Sequence, residues 1–179
     1  MAYRMRRRSR MDRRLVASAV AAGIGLAAVS GHGVTATAGL SGVPSKAAAE
    51  AIAYAQRQIG LPYLWGGTGP DAFDCSGLVM MAYRAAGINI PRTSEEQWSW
   101  GPRISASQVE PGDLVFFAGA DGTVTSPGHV GIVTGPHTMI EAHGTGYPIR
   151  YSHFGTAASP PGDQDPVGFT DPAAHAGTS

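Results

Sequence analysis

The stretch "DAFDCSGLVMMAY", residues 71–83, decides how the chain folds. Small and polar residues open it, and an apolar run follows in which Leu78, Val79, Ala82 and then Ala86 recur at helical spacing until Gly87 stops the pattern. The spacing predicts a helix that begins at or just before Cys75, the only cysteine among 179 residues. A Gly/Pro-rich loop precedes it, "LPYLWGGTGPDAFD" at 61–74. Before that loop, "PSKAAAEAIAYAQRQIG" reads as another helix, with Pro44 and Ser45 at its start, Ile52, Ala55 and Ile59 on one buried face, and Gly60 at its end. Downstream, "TSEEQWSW" places Thr93 and Glu96 at capping-box spacing, which predicts a short third helix.

From residue 109 onward the pattern is that of strands. "VEPGDLVFF" is a turn into a strand, "HVGIVT" and "TMIEAHG" form a hairpin around Gly135 and Pro136, and "PIRYSHF" is a further strand. Val167 to Phe169 supply a last edge. Helices first and antiparallel strands after them give an α+β domain over residues 46–170, its N-terminal helices packed on a central antiparallel sheet. Residues 171–179 read as a disordered tail.

The chain opens on seven arginines within its first fourteen residues, followed by the uncharged run "LVASAVAAGIGLAAVSG" and the small-residue triplet "ATA" at 36–38. That order is the order of a secretory signal over residues 1–38, cut after Ala38, with 39–45 as a short linker. If uncleaved, the run from Leu15 to Gly31 would serve as a membrane anchor, at the short end of a span and poor in Leu, Ile and Phe. Removing the leader changes the charge. Thirteen basic residues balance thirteen acidic ones in the whole chain, but the seven arginines and Asp12 belong to the leader, so the remainder is acidic by about six charges. An acidic surface excludes nucleic acid and anionic membranes as partners, and the processed chain is expected to be a monomer without a stable membrane span.

An exported chain normally pairs its cysteines. A lone one is a buried small hydrophobe, a site of intermolecular pairing, or a reactive thiol. The helix start favours the third reading, because unpaired N–H groups and the positive end of the helix dipole face the sulfur and would favour a thiolate. The same N–H groups can receive an oxyanion, and Gly77 would let a substrate approach. A base is then needed. "PGHVGIV" offers His129, and Glu141, twelve residues on in the partner strand of the hairpin, is placed to hold the imidazole in one tautomer. Taken singly, each of the three has a structural alternative: core cysteine, strand-edge histidine, solvated glutamate. His129, His137, Glu141 and His143 also raise a zinc reading, which leaves Cys75 without a role, so neither metal nor cofactor is expected.

In order, "PYLWGGTGPDAFDCSGLVMMAY", "PRTSEEQ", "PGDLVFF", "HVGIV" and "MIEA" resemble the successive motifs of the NlpC/P60 family of papain-like cell-wall cysteine peptidases, across residues 46–155. The resemblance implies Cys75 as nucleophile, His129 as general base and Glu141 as the third residue, in the Cys-His-Glu manner of actinobacterial peptidoglycan endopeptidases. His143 is the alternative third residue. Tyr63 falls on the tyrosine near the oxyanion site, and Asp74 on an acidic position with a structural role. Ser76, Arg92 and Gln97 fall at positions of the oxyanion and substrate groove, with helix or loop packing as the other role for Arg92 and Gln97. Trp65, Trp98 and Trp100 are candidates to line the groove, or to pack. The implied reaction is hydrolysis of an amide in the peptidoglycan stem, between γ-D-Glu and meso-diaminopimelate. The alternatives are a non-catalytic wall-binding module and an acyltransferase or amidase on the same fold. The loop at 118–128, which leads into His129, is expected to gate the cleft.

Overall fold

The computed structural model describes residues 44–176; the leader expected over 1–38 and most of the linker expected over 39–45 lie outside the described residues. Helix α1 spans Lys46–Arg57, starting where the Ser45 hydroxyl accepts the Ala48 N–H at 3.1 Å. Its buried face is made of Ala48, Ala51 and Ala55, small side chains that let it lie close against α2. Ile59 does not join that face as expected. The helix stops at Arg57, Gly60 takes a left-handed φ of 93°, and Ile59 is carried into the turn, where it is 39% exposed.

Helix α2 spans Cys75–Ala85. Asp74 caps it, with Oδ1 accepting the Gly77 N–H at 2.6 Å. Leu78, Val79 and Ala82 are fully buried, as their spacing predicts, and so is Tyr83, whose hydroxyl donates to the Gly112 carbonyl at the turn before strand β2. Ala86 is the C-cap of α2 and only partly buried. Gly77 serves the fold rather than a substrate. A Cβ there would lie 2.1 Å from the Gly67 carbonyl oxygen, so its missing side chain lets the 61–74 loop pack directly on the helix start. Helix α3, Ser94–Trp100, carries the expected capping box between Thr93 and Glu96.

The strands are β1 (Arg103–Ile104), β2 (Leu114–Phe117), β3 (His129–Gly135), β4 (Thr138–Glu141), β5 (Arg150–His153) and β6 (Gly168–Thr170), joined in one antiparallel sheet ordered β1-β6-β2-β3-β4-β5. Alternation along the strands sends side chains to two cores. Leu114, Phe116, Val130, Ile132 and Ile140 face the cluster built with Leu78, Val79 and Tyr83 of α2, whereas Val115, Phe117, Val133 and Met139 pack on the other side with Phe154 and Phe169. This is the α+β architecture the sequence implies. Two details differ. The segment expected as a last edge is interior, because β6 lies between β1 and β2. Of the tail expected to be disordered over 171–179, Pro172–Ala176 forms helix α4, started by an Asp171 side chain that accepts the Ala174 N–H at 3.0 Å and by a proline suited to the first helical position, and 177–179 lie outside the described residues.

Candidate active site

Cys75 is the first residue of α2, so the capping that begins the helix also aims the sulfur. Asp74 is the pivot. Its Oδ1 binds Gly77 N–H, its Oδ2 accepts the Gly66 N–H at 2.9 Å, and the Arg92 guanidinium spans both oxygens at 3.0 and 2.5 Å. A planar guanidinium facing a carboxylate in this two-point manner fixes geometry as well as charge. Arg92 also donates to the Ser76 hydroxyl at 2.9 Å, so helix start, preceding loop and the segment before α3 are tied at one carboxylate.

Cys75 is 8% exposed at the floor of a cleft of about 910 Å³ whose walls include Tyr63, Trp65, Arg92, Asp121, His143 and Asp163. Its Sγ lies 3.9 Å from the Gly128 carbonyl, and the next residue, His129, opens β3 and lines the same cleft. The Nε2 of His129 is 2.9 Å from Glu141 Oε2, which leaves Nδ1 for the sulfur. The register of β3 and β4 explains the contact. Ile132 opposes Ile140, so continuing the ladder sets Glu141 one step diagonal to His129 on the same face.

Glu141 is fully buried, and four donor nitrogens surround it. Oε2 is shared by His129 and by Nδ1 of His143 at 3.2 Å, and Oε1 accepts from Nε and Nη2 of Arg150 at 3.4 and 3.3 Å. Arg150 sits opposite Glu141 in the β4–β5 ladder, with its guanidinium 4.9 Å from the Tyr147 ring. Burial pushes the Glu141 carboxyl up, but the bonds from His129 and His143 prevail and hold it well below the usual range. Burial likewise opposes charge on His129, and the hydrogen bonds and charges of Cys75 and Glu141 overcome it and raise the ring well above its ordinary value. His143 is raised to about 9 by Asp163 first and Glu141 second. Tyr63 is pushed up to about 12 by burial, then by the charges of Cys75 and Asp74, so it keeps its proton as a donor at the cleft wall.

The structure brings Cys75, Ser76, Tyr63, Arg92, His129 and His143 to the cleft, with Glu141 directly behind His129. Gln97 is not there. It is 1% exposed, and its Nε2 donates to the carbonyls of Ser76 and Pro91 at 3.0 and 2.9 Å, bracing α3 against α2 instead of meeting a substrate. Of the three tryptophans only Trp65, 78% exposed, stands on the cleft rim. Trp98 is buried against Phe116 with Arg103 over its ring, and Trp100 packs on His175. His137, part of the zinc reading, is on the β3–β4 turn and bonded to the Phe154 carbonyl. The 118–128 loop is closed by its own bonds, Thr123 with Ser126 and Gly128 N–H to Ala118 O, while Gly119, Ala120 and Asp121 reach the cleft. Two residues at the site escaped the sequence. Arg150 would have needed the strand register, and Asp163 lies in a loop whose composition carries no periodic signal.

The chain has relatives among known proteins, in sequence and in structure. Over 103 residues the chain is 46% identical to "Probable endopeptidase p60" of Listeria monocytogenes, covering 58% of this chain and 20% of that one. It is 39% identical over 101 residues to the "Gamma-DL-glutamyl hydrolase" of Bacillus subtilis, covering 55% and 24% respectively. The chain therefore spans about a fifth to a quarter of the length of these relatives. The solved structure of the peptidoglycan hydrolase RipB from Mycobacterium tuberculosis superposes with a TM-score of 0.56 at 30% identity, over 70% of this chain and 64% of that one. The NlpC/P60 family matches residues 60–159, a span that holds Tyr63, Cys75, His129 and Glu141 together, and the chain belongs to that family.

Proposed function

We propose that this chain is an exported cysteine endopeptidase that hydrolyses an amide in the peptidoglycan stem, the bond from γ-D-Glu to meso-diaminopimelate. The observation that carries the reading is the arrangement from the cleft floor inward: Cys75 on the helix start, His129 lining the same cleft, and buried Glu141 at 2.9 Å from His129 Nε2. The names of the relatives, an endopeptidase, a γ-glutamyl hydrolase and a peptidoglycan hydrolase, support the substrate class. The charged leader and apolar run support export. No helix among the described residues is long and apolar enough to cross a membrane.

In this mechanism Cys75 and His129 act as a thiolate and an imidazolium. The thiolate attacks the carbonyl carbon, and the oxyanion is received by the Cys75 backbone N–H with the protonated Tyr63 hydroxyl as second donor. His129 gives its proton to the leaving nitrogen as the C–N bond breaks, leaving a thioester. The neutral ring then takes a proton from water, whose hydroxide adds to the thioester and expels the Cys75 thiolate. Glu141 holds the ring in one tautomer and balances its charge, and Arg150 and His143 hold Glu141. Neither metal nor cofactor takes part in any step.

The test is incubation of residues 39–179 with purified stem peptides and muropeptides under reducing conditions, read by mass spectrometry beside Cys75→Ala. New ends that require the intact thiol establish the peptidase and identify the bond. Sedimentation of both proteins with cell walls and cleavage by neither would replace this reading with a wall-binding module. Transfer of the acyl group to an added amine in preference to water would replace it with an acyltransferase.

A further inference from the structure

Asp163 lies between β5 and β6, with its N–H bonded to Pro160 O and its carbonyl to Gly155 N–H. The carboxylate is 2% exposed, and its Oδ2 has no hydrogen-bond partner among the described residues. A buried oxygen in that state lacks the compensation that buried polar groups ordinarily have. Its nearest charged neighbour is His143 Nδ1 at 3.5 Å, near enough for attraction but not aligned as a hydrogen bond. His143 Nδ1 is in turn 3.2 Å from Glu141 Oε2, and that oxygen is 2.9 Å from His129 Nε2. One nitrogen or oxygen from each of these four residues lies within 4.8 Å of all the others.

We propose that His129, Glu141, His143 and Asp163 form a binding site for a divalent cation of the zinc class, and that filling it switches the cleft off. Two imidazole nitrogens and two carboxylate oxygens are a donor set that zinc accepts in tetrahedral geometry, whereas calcium and magnesium require six or more ligands dominated by oxygen. Donors about 2.0–2.2 Å from a tetrahedral ion stand roughly 3.3–3.5 Å apart. The separations of 2.9, 3.2 and 3.5 Å are within a few tenths of an ångström of that spacing, and the remaining pairs, at up to 4.8 Å, close on the ion by side-chain rotation. The two carboxylates match the charge of the ion. Arg150, bonded to Glu141 Oε1, leaves Oε2 free to turn toward the metal and fixes it from behind. His143 and Asp163 both line the cleft, which is the entry path.

Binding has a definite chemical consequence. With the ion on Nε2, a neutral His129 ring carries its proton on Nδ1 and has no lone pair left to accept one from Cys75 or from water. Glu141 is at the same time withdrawn from His129. The loss of activity rests on the proposed peptidase reaction; the binding does not.

The test uses full-length Cys75→Ala titrated with zinc chloride by calorimetry, with magnesium chloride in parallel. We expect one zinc per chain, no magnesium binding, and affinity at least about tenfold weaker in Cys75→Ala combined with Asp163→Asn or with His143→Ala, each checked for folding by its melting curve. Because His143 is partly exposed, its variant keeps the test open if Asp163→Asn does not fold. Absence of stoichiometric binding, or unchanged affinity in both double variants, overturns the site. The parent enzyme should lose stem-peptide cleavage as zinc fills the site and regain it with a chelator. Full activity at saturating zinc would overturn the switch. A chain that binds zinc as described but cleaves nothing without it refutes the peptidase and leaves the site standing.

Discussion

At the scale of single residues, the site is a chain of titratable side chains joined through Glu141, and each link predicts a measurable change. Glu141→Gln keeps the shape behind His129 but removes the charge that favours its cation and one tautomer. Stem-peptide turnover should fall by about 10²–10⁴ with little change in KM, and parent-like turnover would mean Glu141 does not orient the base. His143 gives a pH signature. Its folded value, about 9, is above the ordinary histidine value, so the folded chain holds this proton more tightly than the unfolded one. That contribution is fully present below about pH 6.5 and is lost as pH rises through about 9. The difference in melting temperature between the parent and His143→Gln should therefore shrink from pH 6 to pH 9.5; a constant or growing difference would contradict the assignment. That Cys75, His129 and Glu141 come together was legible in the sequence, because each sits at a place on a recognisable element. Arg150 and Asp163 were not, because an arginine or aspartate acquires a partner only through register and loop path, neither of which the residues encode locally.

Elements that carry their own punctuation were legible; those that depend on neighbours were not. Helix α2 announces itself through its apolar spacing and Gly87, and α3 through its capping box. Strand β1, with two residues, has no pattern of its own and exists because it pairs with β6. Gly77 shows the same division. The sequence marked the position as open, but only the packed loop reveals what fills the space. Gly77→Ala should destabilise the fold by about 1–3 kcal/mol, since the new methyl meets the Gly67 backbone at 2.1 Å and neither element can yield freely. Denaturant melts would measure this. Activity should fall beyond what the lost stability explains, because the displaced loop carries Tyr63 and Gly66. Equal stability of the variant and the parent would show that the loop moves aside at no cost.

At the scale of the molecule, the buried Tyr83 hydroxyl ties helix α2 to the turn that leads into β2. Tyr83→Phe leaves the Gly112 carbonyl without this donor and should cost about 1–2 kcal/mol, read as a lower denaturant midpoint at unchanged slope. An unchanged midpoint would assign that carbonyl another partner. The α+β arrangement followed from the order of periodicities, whereas the strand order did not, because antiparallel pairing leaves open which gap a late strand enters. The gap matters in time as well as in space. A ribosome delivers residues in order, and β6, which follows the other five described strands, has its place inside the sheet, between β1 and β2. Until residues 168–170 emerge, β1 lacks its partner among the described strands, and β2, paired with the strand that bears His129, is open on its other flank. A half-made chain thus carries Cys75 and His129 before the sheet that holds them is finished, and the last strand synthesised among the described residues is the one that completes that sheet.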